Sequence, residues 1–318
     1  FGVGRVSSLF VYPMSFDEFL TATRQEGLLR IKRNSSPTNP LPEAFYNRLV
    51  EAFRSYMLVG GMPEAVATYT ETGSYRYSSD IVNEIIQGYQ DDFAKYEAKA
   101  NPLLLRQTLI SVAHQAGAKF VYSRVEGQYR SAEVKVALEM LKDAGLIIPT
   151  YHTDANGVPL GAEINERVVK YLIHDTGVLL GILGIDDDID ERIKEMMVAD
   201  SINLVDKGHV AEMMAGLELI KYSSPQTRHQ LYYWQNMNKG TCAEVDYVIA
   251  RSGSIVPIEV KSGVKGSMSS MYSLMRNPQK HIEMGIRCSL ENFGTFASPD
   301  GKKIDIIPLY AISNLFAE

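Results

Sequence analysis

At 318 residues, with 45% hydrophobic and 22% charged side chains, the chain has a globular composition and is too long for one ordinary core, so two or three domains are expected. No apolar run is long enough to span a bilayer and no signal-peptide pattern opens the chain, which predicts a cytoplasmic protein with no membrane partner. The formal net charge of −6 argues against a general nucleic-acid coat protein. Cys242 and Cys288 lack metal-ligand spacing and read as buried thiols in a reducing compartment.

The chain opens at Phe1-Gly2-Val3-Gly4-Arg5, which reads as the middle of a longer sequence, and no Gly-x-x-x-x-Gly-Lys-[Ser/Thr] phosphate loop occurs in it. The pattern predicts a strand over 6–12. A short helix follows from Ser15, with Glu18 at capping-box spacing. After the Pro-punctuated loop 34–40, a helix over 42–57 is expected to stop at Gly60-Gly61, and Pro63 to begin another. Residues 75–150 read as mostly helical, with Ile81, Ile85 and Ile86 at helical spacing.

Helix 102–116, a short stretch at Tyr122-Ser123-Arg124 and helix 131–143, taken as capped by Ser131, precede two alternating runs, 146–151 and 158–163, around Asn156-Gly157. Three helices and a two-stranded wing make a winged helix-turn-helix. Helix 131–143 offers Lys135 and Lys142 to DNA, but Glu133, Glu139 and Asp143 beside them would repel phosphates, and a protein-packing role weighs at least as heavily. A strand over 170–174 and a helix to Leu183 come next. The acidic run 186–191 lacks the alternating ligands and central glycine of a calcium loop and reads as first-turn acids of a helix over 187–199.

A helix over 206–222 turns Val210, Met213, Met214, Leu217 and Ile220 to one side. Strands over 230–235, 242–250 and 255–261, a helix over 267–275, and strands near 280–287 and 304–309 follow, the order of a small α/β domain with a mixed sheet. Two of those strands flank Gly253 as a hairpin, which sets Asp246 beside Glu259. Glu259 and Lys261 share a face because strand side chains repeat with period two. Magnesium takes one or two protein carboxylates and keeps several waters. Asp246 and Glu259 supply that minimum, with the Val260 carbonyl as a third ligand and Glu212 within reach of the same ion or a second one. Lys261 would orient the attacking water and offset charge on a phosphodiester. The segment from Arg251 to Arg287 also carries six basic residues (Arg251, Lys261, Lys265, Arg276, Lys280, Arg287) against Glu259 and Glu283, which suits a polyanion.

Glu212, Asp246 and Glu259-Val260-Lys261, in the order helix-strand-strand, resemble the PD-(D/E)xK nuclease superfamily, the restriction-endonuclease-like fold. Tyr232-Tyr233-Trp234, Pro257-Ile258-Glu259-Val260-Lys261-Ser262-Gly263, Gly60-Gly61-Met62-Pro63-Glu64 and the stretch from Gly4-Arg5 to Leu20 are similar to prokaryotic AAA+-superfamily ATPases carrying such a C-terminal domain. The resemblance implies a multidomain α/β chain. Residues 1–74 would close an ATPase core and its helical lid, 75–165 form the helical and winged helix-turn-helix domain, and 166–318 the restriction-endonuclease-like domain. It further implies Glu212, Asp246, Glu259 and Lys261 as catalytic residues, the first three as ligands of Mg2+ or Mn2+, and ATP bound through an upstream P-loop, with Arg5 beside the nucleotide. DNA, the upstream ATPase domain and further copies of the chain are the expected partners. A non-cleaving nucleic-acid- or partner-binding module under ATPase control is the alternative.

Overall fold

The computed structural model describes residues 4–96, 100–184, 207–236, 243–263 and 266–316. The acidic run 186–191, the helix expected over 187–199, Cys242 and Lys265 lie outside them. Within them the fold is mixed α/β, with two mixed sheets.

The N-terminal part is helical. Helix α1 (Phe16–Ala22) starts at the expected capping box: the Ser15 backbone N–H donates to Glu18 Oε2 at 2.7 Å, and the Glu18 N–H returns a bond to Ser15 Oγ. Helix α2 (Glu26–Arg33), which was not anticipated, turns Leu28, Leu29 and Lys32 inward. Helix α3 (Glu43–Val59) stops at Gly60, whose φ of 78° favours glycine. A side chain at Gly60 would meet the Asp175 carboxylate, and one at Gly61 the Met14 carbonyl. The glycine pair therefore lets α3 end directly on Asp175, which accepts from the Gly61 N–H at 2.6 Å and caps α8 (Thr176–Ile182) through the Val178 N–H. Helices α4 (Pro63–Thr72) and α5 (Tyr75–Phe93) follow. The strand expected over 6–12 is absent: the segment is extended but pairs with no strand, and Val6, Leu9 and Val11 are exposed. The apolar, β-branched residues supplied the pattern, yet a strand forms only where a partner ladder takes its N–H groups, and here the Phe10 N–H donates to the Pro225 carbonyl in a loop.

Helices α6 (Pro102–His114) and α7 (Ser131–Asp143) with the 3-10 turn Tyr122–Arg124 form the expected three-helix unit. The cap of α7 differs: Ser131 is its first residue, and the Arg130 N–H donates to Glu133 Oε2. The wing also differs. Strand β1 (Ile147–Thr153) pairs antiparallel with β2 (Ile164–Ile173), while 158–163 lies in the connection between them. Pro159 has no N–H for a ladder. Asn156 does not turn a tight hairpin. It donates to Glu163, and Lys280 reaches into the connection to bond the Asp154 carbonyl and Asn156 Oδ1. Because β2 is continuous from 164 to 173, it runs across the expected 165/166 boundary.

Helix α9 (Lys207–Lys221) leads into β3 (Leu231–Gln235) and β4 (Glu244–Val245), which complete a sheet of order β2-β1-β3-β4 with β1 and β3 parallel. The second sheet, order β5-β6-β7-β9-β8, comprises β5 (Tyr247–Arg251), β6 (Ser254–Val260), β7 (Met284–Ser289), β8 (Gly294–Ala297) and β9 (Lys303–Pro308). The strand expected from 280 begins at Met284, and β8 was not anticipated. Helix α10 (Ser269–Arg276) covers one face of this sheet through Met271, Leu274 and Met275. Helix α9 serves the other, its apolar residues joining one buried cluster that runs from Phe16 to Leu315 and crosses 74/75 and 165/166 alike.

A buried polar network ties the chain's two ends together. Lys32, fully buried, pairs with Asp17 at 2.5 Å and donates to Ser313 Oγ in the closing 3-10 segment Leu309–Leu315. Breaking a buried pair leaves an uncompensated charge and costs about 3–5 kcal/mol. Asp17→Ala is therefore expected to lose that much in urea unfolding, and Asp17→Leu combined with Lys32→Met to recover most of it. A loss below about 1 kcal/mol for Asp17→Ala would contradict this role.

Candidate functional site

The β5–β6 hairpin turns at Ser252-Gly253, both at positive φ as a two-residue turn requires, and this fixes its register. With Tyr247 opposite Ile258, Asp246 at the β4–β5 junction comes beside Glu259. Asp246 Oδ2 accepts from the Val260 N–H at 2.7 Å. Lys261 Nζ stands 2.6 Å from Glu259 Oε1. Glu259 is only 5% exposed, and its Oε2 has no partner. From α9, Glu212 is brought in by a bond from Tyr247 Oη to its carbonyl at 2.8 Å. The structure thus gathers Glu212, Asp246, Glu259 and Lys261 into one electrostatically interacting group. Arg5 is exposed in the first described turn and is not among the residues that interact with these four.

Sequence reasoning missed Lys170 and Glu244. Lys170, from β2, is 1% exposed. Its ammonium bonds Glu212 Oε1 at 2.8 Å and Glu244 Oε1 at 2.5 Å, and lies 4.9 Å from the centre of the Tyr233 ring. The signal was present: a lysine inside Val168-Val169-Lys170-Tyr171-Leu172 cannot be buried without an anion, and the apolar run that buries the strand on both faces buries the lysine too. At the rim, Gly117 at φ +75° lets its loop close over α9; a side chain there would fall 2.2 Å from His209 Nδ1 and 3.2 Å from Glu212 Oε2.

Burial raises Glu212 to about 8, with Asp246 and Glu244 adding to the rise and Lys170 opposing it. Burial, then Asp246, raises Glu259 to about 7 against the pull of Lys261. Asp246 is raised by burial, while the Val260 N–H, Lys170 and Lys261 act the other way. For Lys170 burial opposes the charged form, but Glu212 and Glu244 outweigh it and hold the amine above its ordinary value. With every carboxyl ionised, four carboxylates against two ammonium groups would leave a formal charge of −2; burial is the main reason that Glu212, Asp246 and Glu259 resist that state.

The donor set fits one hard divalent cation: oxygen ligands only, an excess of negative charge and the orphaned, buried Glu259 Oε2. Among the described residues no three His, Cys, Asp or Glu side chains are grouped to hold an ion. Magnesium needs only one or two carboxylates, and Asp246 with Glu259 meet that requirement, whereas Glu212 is engaged by Lys170.

The positive segment is largely taken up inside the protein. Arg276 pairs with Asp300, Arg287 with Glu291, Lys261 with Glu259, and Lys280 bonds the β1–β2 connection. On α7, Lys142 pairs with Glu139, and Arg228 bonds the Lys142 carbonyl and stands beside Asp143.

Residues 50–189 match the model of a domain of unknown function, DUF8612, and residues 207–312 that of another, DUF4143. No curated protein and no solved structure matches the chain. Lys170 lies in the first matched segment and the four carboxylates in the second. Among the described residues no helix is long and apolar enough to cross a membrane.

A raised carboxyl holds in the folded chain a proton that the unfolded chain has released, so the stability it contributes is lost as pH rises from the ordinary 4.5 toward the folded value. His174, pushed down by its burial, works in the opposite sense, so a comparison of variants isolates the site. The unfolding free energy of Glu259→Gln minus that of the wild type, from urea titrations, is expected to climb between pH 4.5 and about 7, by about 1.4 kcal/mol for each unit by which the carboxyl is raised. A difference that stays flat or falls over this range would show that Glu259 is not a strained buried carboxylate.

Proposed function

We propose that this site is a metal-dependent phosphodiester hydrolase of the PD-(D/E)xK type acting on DNA, working together with an ATP-binding AAA+-type domain. The observation that carries this reading is the registered pair of Asp246 and buried Glu259, with Lys261 two residues on and Glu212 on the helix before them. The match over residues 207–312 supports the ATPase link, because that domain is often found in AAA-ATPase-associated proteins. In this reading Arg5 is the side chain offered to the nucleotide.

A divalent ion held by Asp246 and Glu259 would neutralise a phosphate oxygen and lower the pKa of water. The chain's own residues do the rest. The Val260 N–H fixes the Asp246 carboxylate in direction. Glu259 keeps one oxygen free while Lys261 holds the other. The Lys261 ammonium, partly exposed beside its carboxylate, offsets charge that builds on the phosphate as the bond breaks. The winged element acts as a packing unit, since α7 pairs its Lys142 with its own Glu139.

A second reading, a non-cleaving binding module controlled by the ATPase, is favoured by one observation: each of the three carboxylates already has an ammonium or N–H partner. Two variants separate the readings. Asp246→Ala is expected to abolish the heat of Mn2+ binding in calorimetry; an unchanged titration sinks the metal site. Lys261→Ala is expected to cut plasmid nicking by about 10²-fold or more while leaving the gel shift with DNA intact. Salt-dependent DNA shifts with no cleavage in any divalent ion would establish the second reading instead.

A further inference from the structure

We propose that Lys170 is a resident cation of this site, occupying the position between Glu212 and Glu244 that a second divalent ion would otherwise take, so that the site holds one divalent ion and not two. The inference rests on the metal-dependent reading above and deepens it. Its ammonium is 2.8 Å from one carboxylate oxygen and 2.5 Å from the other, so the two acids converge on a single positive centre. The Tyr233 ring, 4.9 Å away, closes another side with its negative face, and the strand around the lysine is buried. Nothing smaller than removal of the amine would open this position to an ion.

Charge decides the stoichiometry. With all four carboxyls deprotonated, as binding of a hard cation requires, they and the ammonium groups of Lys170 and Lys261 sum to −2, which one divalent ion cancels. Two such ions would leave a net +2 in a place where Glu212 and Glu259 are almost wholly buried. Arg287, across the sheet from Glu259, does not alter the count, because Glu291 answers it at 2.7 Å. The acids not engaged by Lys170 are Asp246 and Glu259, and the latter keeps an unpartnered buried oxygen. The cation between Glu212 and Glu244 comes from residues 50–189 and the acids from 207–312, so the site is composite: each matched segment supplies a part the other lacks.

The test is a Mn2+ titration of the whole chain followed by electron paramagnetic resonance, which counts free ion and needs no turnover. Wild type is expected to saturate at one ion per chain and Lys170→Met at two. Lys170→Gln, whose amide still donates to a carboxylate, is the second variant should the methionine fail to fold by circular dichroism, and it too is expected to reach two. Two ions in the wild type, or one in both proteins, would overturn the role of Lys170 and leave the metal site standing. No ion in the wild type but one in the variant would also overturn it, since Lys170 would then exclude metal altogether. No ion in either would sink the metal-dependent reading beneath it.

Discussion

Helix α9 is buried along nearly its whole described length and yet carries two acids, Glu212 and Glu218, at 8% and 2% exposure. A carboxylate taken out of water must find a cation or several donors, or lose its charge. Each of these two recruits at least one partner from far away in the chain. Glu212 draws Lys170 from β2. Glu218 accepts from the Phe16 N–H and from Tyr56 Oη, and lies 3.5 Å from Lys221. The requirement to satisfy the acids of one helix therefore ties the N-terminal helices and strand β2 to it.

This arrangement gives the candidate site a mechanical connection. The Lys221 ammonium also donates to the Met14 carbonyl and to Tyr56, and Met14 in turn lies against Gly61 at the end of α3. Movement of the segment before α1 would be felt along α9, whose first turns hold Glu212.

Much of this was legible in the sequence. Ser15 and Glu18, the glycine pair at 60–61, helices α6 and α7, and the hairpin that sets Asp246 beside Glu259 all follow from local chemistry: a cap, a turn, a period. What was not legible was global. The stretch 6–12 has a strand's residue types but no ladder to join. The Asn156-Gly157 pair has a hairpin's turn residues, but Glu163 at the far end of the connection and Lys280 from another part of the chain hold it in a wider loop. Helix α2 passed unnoticed although Leu28, Leu29 and Ile31 offered a face, because no side chain caps its start. Lys170 was invisible as a site residue for a simpler reason. Its two acids lie 42 and 74 residues away, and period and spacing do not reach that far.

The spent charges bear on how a polyanion could approach. Most of the segment's cations face acids or carbonyls of the protein, so a phosphate arriving at Asp246 and Glu259 would meet a site with an excess of acids and little outward positive field. In so dry a setting that repulsion is large compared with the modest attraction of exposed rim residues such as Lys119. A divalent ion changes the sign of the problem, since it cancels the excess and presents a positive centre to phosphate oxygens. Ion binding and substrate binding are then thermodynamically linked, each strengthening the other by the same factor. In the proposed arrangement the ammonium of Lys170 offsets one acid charge and that of Lys261 a second, and the two charges that remain are what one divalent ion would cancel.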